Sequence, residues 1–282
     1  MPNITKNIDF NMEVDVLTSA TVANVVNSIL EFLLYQRNQI PFVYKTLKHY
    51  TQLWEDQSQD DEVTTVRQFN INRQRDLVKT TKDSISEMRQ LIHTSFQNNI
   101  IKRLRFLFGT TTLTPREAYT IHIPTESIAI KHYYEHHQMS PAALNKALVN
   151  LVTTQELYDI FTHDLNTTNV YLELEMVDDI NAINSSRMFR KTISQLPQSC
   201  KDIHFHLLHV SSANFENNSL KCCKELKIFE DSEILEVTED CANTSNDTSL
   251  EQKQDQLEWY ESEVIVRGLK DKTVHGMNMW RK

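Results

Sequence analysis

Apolar and polar residues alternate from Ile8 through Phe10, Met12 and Val14 to Val16. A repeat of two puts the apolar set on one face of a half-buried strand. Beyond Ser19 and Thr21, either of which can cap a helix, the spacing changes. Val22, Val25, Val26, Ile29, Leu30, Leu33 and Leu34 recur at three and four residues, and Pro41 bounds that helix. A second helix is predicted over Phe42–Leu53, with the polar run 52–61 as a loop. A long amphipathic helix follows over Asn72–Ile101, its stripe made of Leu77, Ile85, Met88, Leu91, Ile92, Phe96 and Ile100.

Arg103–Phe108 turns strand-like, and Gly109 punctuates it. Thr114, Pro115 and Glu117 have the spacing of a cap, a first helical proline and a capping box. Tyr119, Ile121 and Ile123, however, alternate with Ala118, Thr120 and His122, and Pro124 leaves too little room for a helix, so the segment reads as a hairpin strand. Ser140-Pro141 opens another helix, carrying Leu144, Leu148, Leu151 and Val152. Val170, Leu172, Leu174 and Met176 form a further strand. Ile203, Phe205, Leu207 and His209 form one after Pro197, and Trp259, Tyr260, Val264, Ile265 and Val266 a C-terminal one. The class is α+β, with helices packed on a mostly antiparallel sheet.

Charge divides the chain unevenly. The net charge of −9 offers no basic face for nucleic acid. Between Ser211 and Gln256 four lysines face eleven acidic residues, so −7 of the total falls there. Residues 212–256 are expected to be a disordered acidic loop, because such a stretch lacks the apolar area to fold. The run Ile228-Phe229 to Ile234-Leu235 inside it could order against a partner. The chain reads as one domain, 1–282, with this loop inside it. No stretch approaches the ~20 apolar residues of a membrane span, and the first residues lack a signal-peptide core. Cys200, Cys222, Cys223 and Cys241 fit no zinc-ligand spacing. A reducing compartment is expected, in which the Asn166-Thr-Thr168 sequon is a chance match.

Only 3 of the 282 residues are glycine. Phosphate-cradling and dinucleotide loops need two or three within a few residues, and a nucleophile elbow needs two beside its serine. Gly109, Gly268 and Gly276 lie in no such pattern, so no cofactor is expected. Two histidine groups remain: His132, His136 and His137, and His204, His206 and His209 behind Cys200. Without a third ligand at a metal spacing, the first reads as a polar helix end or loop and the second as a solvent-facing pair on a strand. A metal-dependent hydrolase using them is the rival from the enzyme class.

Four ordered blocks carry a resemblance. They run from Ile29 to Tyr50, Leu104 to Ile123, Leu196 to Leu207 and Leu257 to Asp271. The most specific strings are YQRxQxP…Y..LKH, from Tyr35, Gln36, Arg37, Gln39 and Pro41 through Tyr44 to Leu47, Lys48 and His49, and GxxxLxPxE, from Gly109 through Leu113 and Pro115 to Glu117. Together they resemble the comet family, which binds the spindle-checkpoint protein mitotic arrest deficient two (Mad-two). The resemblance implies a HORMA-like fold, three helices on a sheet closed by a C-terminal safety-belt segment. It implies a non-enzymatic adaptor that binds closed Mad-two through a pseudo-symmetric HORMA–HORMA face. The adaptor presents it to a Pch-two-type AAA+ ATPase, which disassembles the checkpoint complex and silences the checkpoint. Nuclear and cytoplasmic localisation follows, with association to the spindle or kinetochore in mitosis.

The same resemblance supplies site residues. Gln36, flanked by Tyr35 and Arg37, matches a family contact to Mad-two. A family aromatic on the central helix falls at Leu148, or at Val149 if the alignment gap moves. The family's ATPase contact, an Arg-Pro-Lys string, falls on Met188-Phe189-Arg190-Lys191 without the proline and gives Arg190 and Lys191 as candidates. Trp259, Tyr260, Val264, Val266 and Gly268 fit the belt strand. The alternative among binding modules is a HORMA protein that traps a peptide under its own belt.

Overall fold

The computed structural model describes residues 5–14, 16–57, 66–128, 139–177, 187–210, 257–271 and 280. The acidic segment 212–256, with three of the four cysteines, lies outside them, as do His132, His136 and His137. The strands are β1 (Thr5–Glu13), β2 (Ile101–Gly109), β3 (Pro115–His122), β4 (Asn169–Val177), β5 (Met188–Arg190), β6 (Lys201–Val210), β7 (Leu257–Ser262) and β8 (Val266–Arg267). The helices are α1 (Ser19–Gln36), α2 (Tyr44–Gln57), α3 (Val66–Asn98), α4 (Pro141–Thr153) and α5 (Gln155–Phe161). No helix among the described residues is long and apolar enough to cross a membrane.

One sheet orders its strands β1-β6-β3-β2-β4-β7-β5, with β8 beside β4. The hairpin β2–β3 and the pairs of β4 with β2, β7 and β8 are antiparallel, while β6 lies parallel to β1 and β3. The mostly antiparallel α+β reading therefore holds. Phe10, Phe106, Tyr119, Leu172, Phe205 and Tyr260 project from one sheet face into a single core with α1 and α3. α2 packs on α3, and α4 lies against β1, where Lys146 reaches Glu13 at 2.9 Å.

Local chemistry corrects several boundaries. Thr18 caps α1, its side chain accepting from the Thr21 N–H, so neither Ser19 nor Thr21 is the cap. α3 begins at Val66, and its inner face takes Val78, while Leu77 is 47% exposed. The C-terminal apolar run is two strands, because Ser262 bends the chain by accepting from the Val264 N–H. β4 is buried on both faces, with Glu173 and Glu175 under cover on the second.

Candidate partner-binding site

α1 ends on the string Tyr35–Pro41. The Arg37 N–H closes the last turn on the Leu33 carbonyl, and Asn38 enters the left-handed region at φ 55°, a conformation asparagine tolerates. This turn buries Arg37 to 1% exposure. Its guanidinium donates twice to Glu117, from Nε to Oε2 at 2.8 Å and from Nη2 to Oε1 at 2.7 Å. Nη2 also donates to the His163 carbonyl, and the Phe161 ring lies beneath at 5.5 Å. Tyr119 donates to the same carboxylate at 2.8 Å, and burial pushes its phenol well above the usual value. The glutamate of GxxxLxPxE is thus the counter-ion for the arginine of YQRxQxP, not a capping-box residue.

Gln39 joins the same string to the C-terminal block. Its Nε2 donates to the Arg37 carbonyl at 2.6 Å, and its Oε1 accepts from the Thr168 N–H at 2.7 Å. Its own carbonyl accepts from the Leu269 N–H at 2.7 Å, while the Gly268 N–H donates to the Thr168 carbonyl at 2.8 Å. A Cβ on Gly268 would lie 2.4 Å from Gln39 Oε1 and 2.7 Å from the Thr168 carbonyl oxygen. Gly268→Ala is therefore expected to cost about 1–3 kcal/mol, as overpacking does, readable as a lower urea midpoint. An unchanged midpoint would mean the junction is loose.

The surface of the region is made by other residues. Tyr35 is 41% exposed and Gln36 half-buried at the end of α1. On α4, Leu148 is half-buried against the core, while Val149 is 60% exposed. Val152, three residues on, shares the Val149 face, and Tyr158 on α5 is also exposed. Tyr35, Gln36 and Val149 can thus meet a partner. Arg37 is committed inside the chain.

The second pair of candidates separates in the same way. Arg190, on edge strand β5, is exposed and paired with Glu258 at 2.6 Å. Lys191 turns inward to Glu173, which is fully buried and also meets Arg105 at 3.3 Å. Burial raises the Glu173 carboxyl and lowers the Arg105 guanidinium. Arg105 stacks on Trp259 at 4.2 Å and donates to the Ser194 carbonyl, and Leu196 packs with Leu107, Ala118, Tyr171 and Cys200. Residues 191–200 thereby strap the second face of the sheet. Burial, with Asp202 nearby, pushes the Cys200 thiol up to about 12, so it stays protonated and unreactive.

His204 and His206 are neither core nor open surface. They cluster with His122, whose ring stacks on His206 at 4.4 Å and whose Nε2 lies 2.8 Å from His204 Nδ1. His204 is anchored by Asp202 at 3.0 Å, and His209 meets the Val14 carbonyl. Among the described residues no group of three or more such side chains has metal-binding geometry. Burial, then the two other imidazoles and Arg103, holds His122 down to about 4, against Glu175 acting in the opposite sense. Unfolded, it would take its proton near 6.5. The unfolded chain therefore binds the extra proton between those values, and stability falls as the pH drops from about 6.5 to about 4. His122→Gln should flatten that fall in urea midpoints compared at pH 7 and 5. Identical slopes would remove His122 from the effect.

Reading residue by residue missed that the strings are cross-links between blocks. A positive residue in one string and a negative one in the next were the available signal. The comparisons fit this picture. No curated protein matches the chain. A family match covers residues 15–170, from before α1 to the start of β4, and so includes α1, the β2–β3 hairpin and α4. The family is p31comet, described as "Mad1 and Cdc20-bound-Mad2 binding", Mad2 being Mad-two. It is a non-catalytic, adaptor-type family, in agreement with the missing phosphate and nucleophile loops. Since the match spans more than half of the chain, the protein belongs to the p31comet family.

Proposed function

We propose that this chain is a HORMA-like adaptor for the spindle checkpoint. It binds the closed conformer of Mad2, in its complexes with Mad1 and Cdc20, and presents it to a Pch2-type AAA+ ATPase. Disassembly of the checkpoint complex and silencing of the mitotic checkpoint follow. The observation that carries the reading is the family match over 15–170, which contains the two helices bearing the exposed Tyr35 and Val149. The contact residues are Tyr35, Gln36 and Val149, while Leu148 anchors the same helix to the core. Arg37 and Lys191 hold these surfaces in place through Glu117 and Glu173. The ATPase meets Arg190 on β5, with Phe189 exposed beside it.

The pairing of β7 and β8 with β4 supports the belt reading of the C-terminal segment, which lies on the chain's own sheet. The ATPase supplies the nucleotide chemistry, so the adaptor works without cofactor. It acts in the nucleus and cytoplasm and on the mitotic spindle. Titration of the purified chain with closed Mad2 tests the central step. Saturable binding to the closed conformer and none to the open one is expected, and a folded chain that binds neither would overturn it.

A further inference from the structure

Trp280 lies past the C-terminal block and takes no part in the surfaces above. It is 7% exposed and packs in a box of three rings. Tyr50 and Trp54, four residues apart on one face of α2, supply two, and Phe42, just before the helix, supplies the third. Phe42 meets the indole edge-on, with centroids 4.9 Å apart at 89°. Tyr50 stands at 5.2 Å and Trp54 at 5.0 Å, the latter inclined by 31°. Arg75 of α3 lies 5.2 Å over Trp54 and backs the box. The indole N–H donates to Asp271 Oδ1 at 3.0 Å. A buried tryptophan needs ring packing and a partner for its donor, and both are met.

The second of those contacts ties the box to the rest of the molecule. Asp271 stands two residues past Leu269, which is held by the Gln39 carbonyl. Gly268 is held by Thr168, and the Arg267 carbonyl accepts from Thr81 of α3. Contact therefore runs from α2 through the indole to Asp271, and on to β8 and β4. Losing the indole would uncover Phe42, Tyr50 and Trp54 together, a ring cluster of the kind that recruits a ligand.

We infer that the Phe42–Tyr50–Trp54 box is an indole-recognition site, filled in cis by Trp280, and that its occupancy holds the C-terminal segment 264–271 on the sheet. The Trp280 indole is the latch. It works whichever partner the chain binds, so its failure and that of the Mad2 reading are separate results.

Hydrogen–deuterium exchange on the full chain tests it, with Trp280→Ala, Trp280→Phe and N-acetyl-tryptophanamide as the probe. In Trp280→Ala the amides of 264–271 should exchange about tenfold faster or more, with those of β2 and β3 within about twofold of the parent chain, as for a local opening. Millimolar probe should restore protection in Trp280→Ala and change nothing in the parent chain. Trp280→Phe keeps a ring and loses the donor, so it should show a smaller acceleration in the same segment. Should Trp280→Ala not fold, Trp280→Phe decides. Exchange in that variant equal to the parent chain's overturns the latch. Acceleration spread equally over β2 and β3, or no rescue by the probe, overturns it as well.

Discussion

Gln36→Ala combined with Val149→Glu is expected to weaken binding of closed Mad2 by about a hundredfold or more, with a melting temperature within ~2 °C of the parent chain. Two contact losses of about 2 kcal/mol each would exceed that factor, since 1.4 kcal/mol is tenfold. Val149→Glu adds the cost of taking a carboxylate out of water under a bound partner. Val149 is the side chain to change because it is 60% exposed. Leu148 packs against the core, and a glutamate there would confound lost binding with lost folding. Substitutions at exposed positions change stability by roughly 0.5 kcal/mol or less. Calorimetric titration beside a thermal melt reads both quantities. Unchanged affinity in the folded double variant would remove these residues from the interface.

Arg37→Met is expected to do the opposite, lowering stability by about 3 kcal/mol while leaving Mad2 affinity unchanged at temperatures where the variant is folded. Removing one member of a buried ion pair typically costs roughly 3–5 kcal/mol, because the other charge stays buried without compensation. The lower end applies here. Glu117 keeps the Tyr119 hydroxyl at 2.8 Å and has Lys201 at 3.4 Å. A drop of about 10 °C in melting temperature is the corresponding signal at this chain length. Adding Glu117→Leu should recover part of the loss, since an apolar replacement of the whole pair is often nearly neutral. A double-mutant cycle gives the coupling directly. A coupling near zero would mean that the pair only fills space.

These two variants separate roles that a one-dimensional reading joins. In the string Tyr35-Gln36-Arg37 the three residues are adjacent, and nothing local says which faces inward. The turn at Asn38 decides it, swinging Arg37 under the hairpin and leaving Tyr35 outside. The alternating apolar residues of β1, β3, β4 and β6 were legible because burying one sheet face imposes a period of two. The other face was not. Arg105, Glu173 and Lys191 look like solvent positions in sequence, yet the buried glutamate pairs with both bases, and Glu175 beside it pairs with Arg103. Only the strand order β2-β4-β7-β5 places them together. Lys191, adjacent in sequence to the exposed Arg190, thus finds its partner on β4 rather than at the surface. The one-residue shift from Leu77 to Val78 has a comparable origin, since two adjacent apolar residues leave the phase of a long helix undetermined.

Among the described strands β1 pairs only with β6, Thr5 opposite Asp202 and Glu13 opposite Val210. β1 therefore leaves the ribosome about two hundred residues before its partner exists. At roughly 5–20 residues per second, Ile8, Phe10 and Met12 stay without their strand partner for about 10–40 s. Pairings so distant along the chain are slow to form in any case. The sheet must close from its middle outward, with the β2–β3 hairpin early and the N-terminal strand late. A nascent chain of this protein is thus most exposed to aggregation and to chaperones along β1.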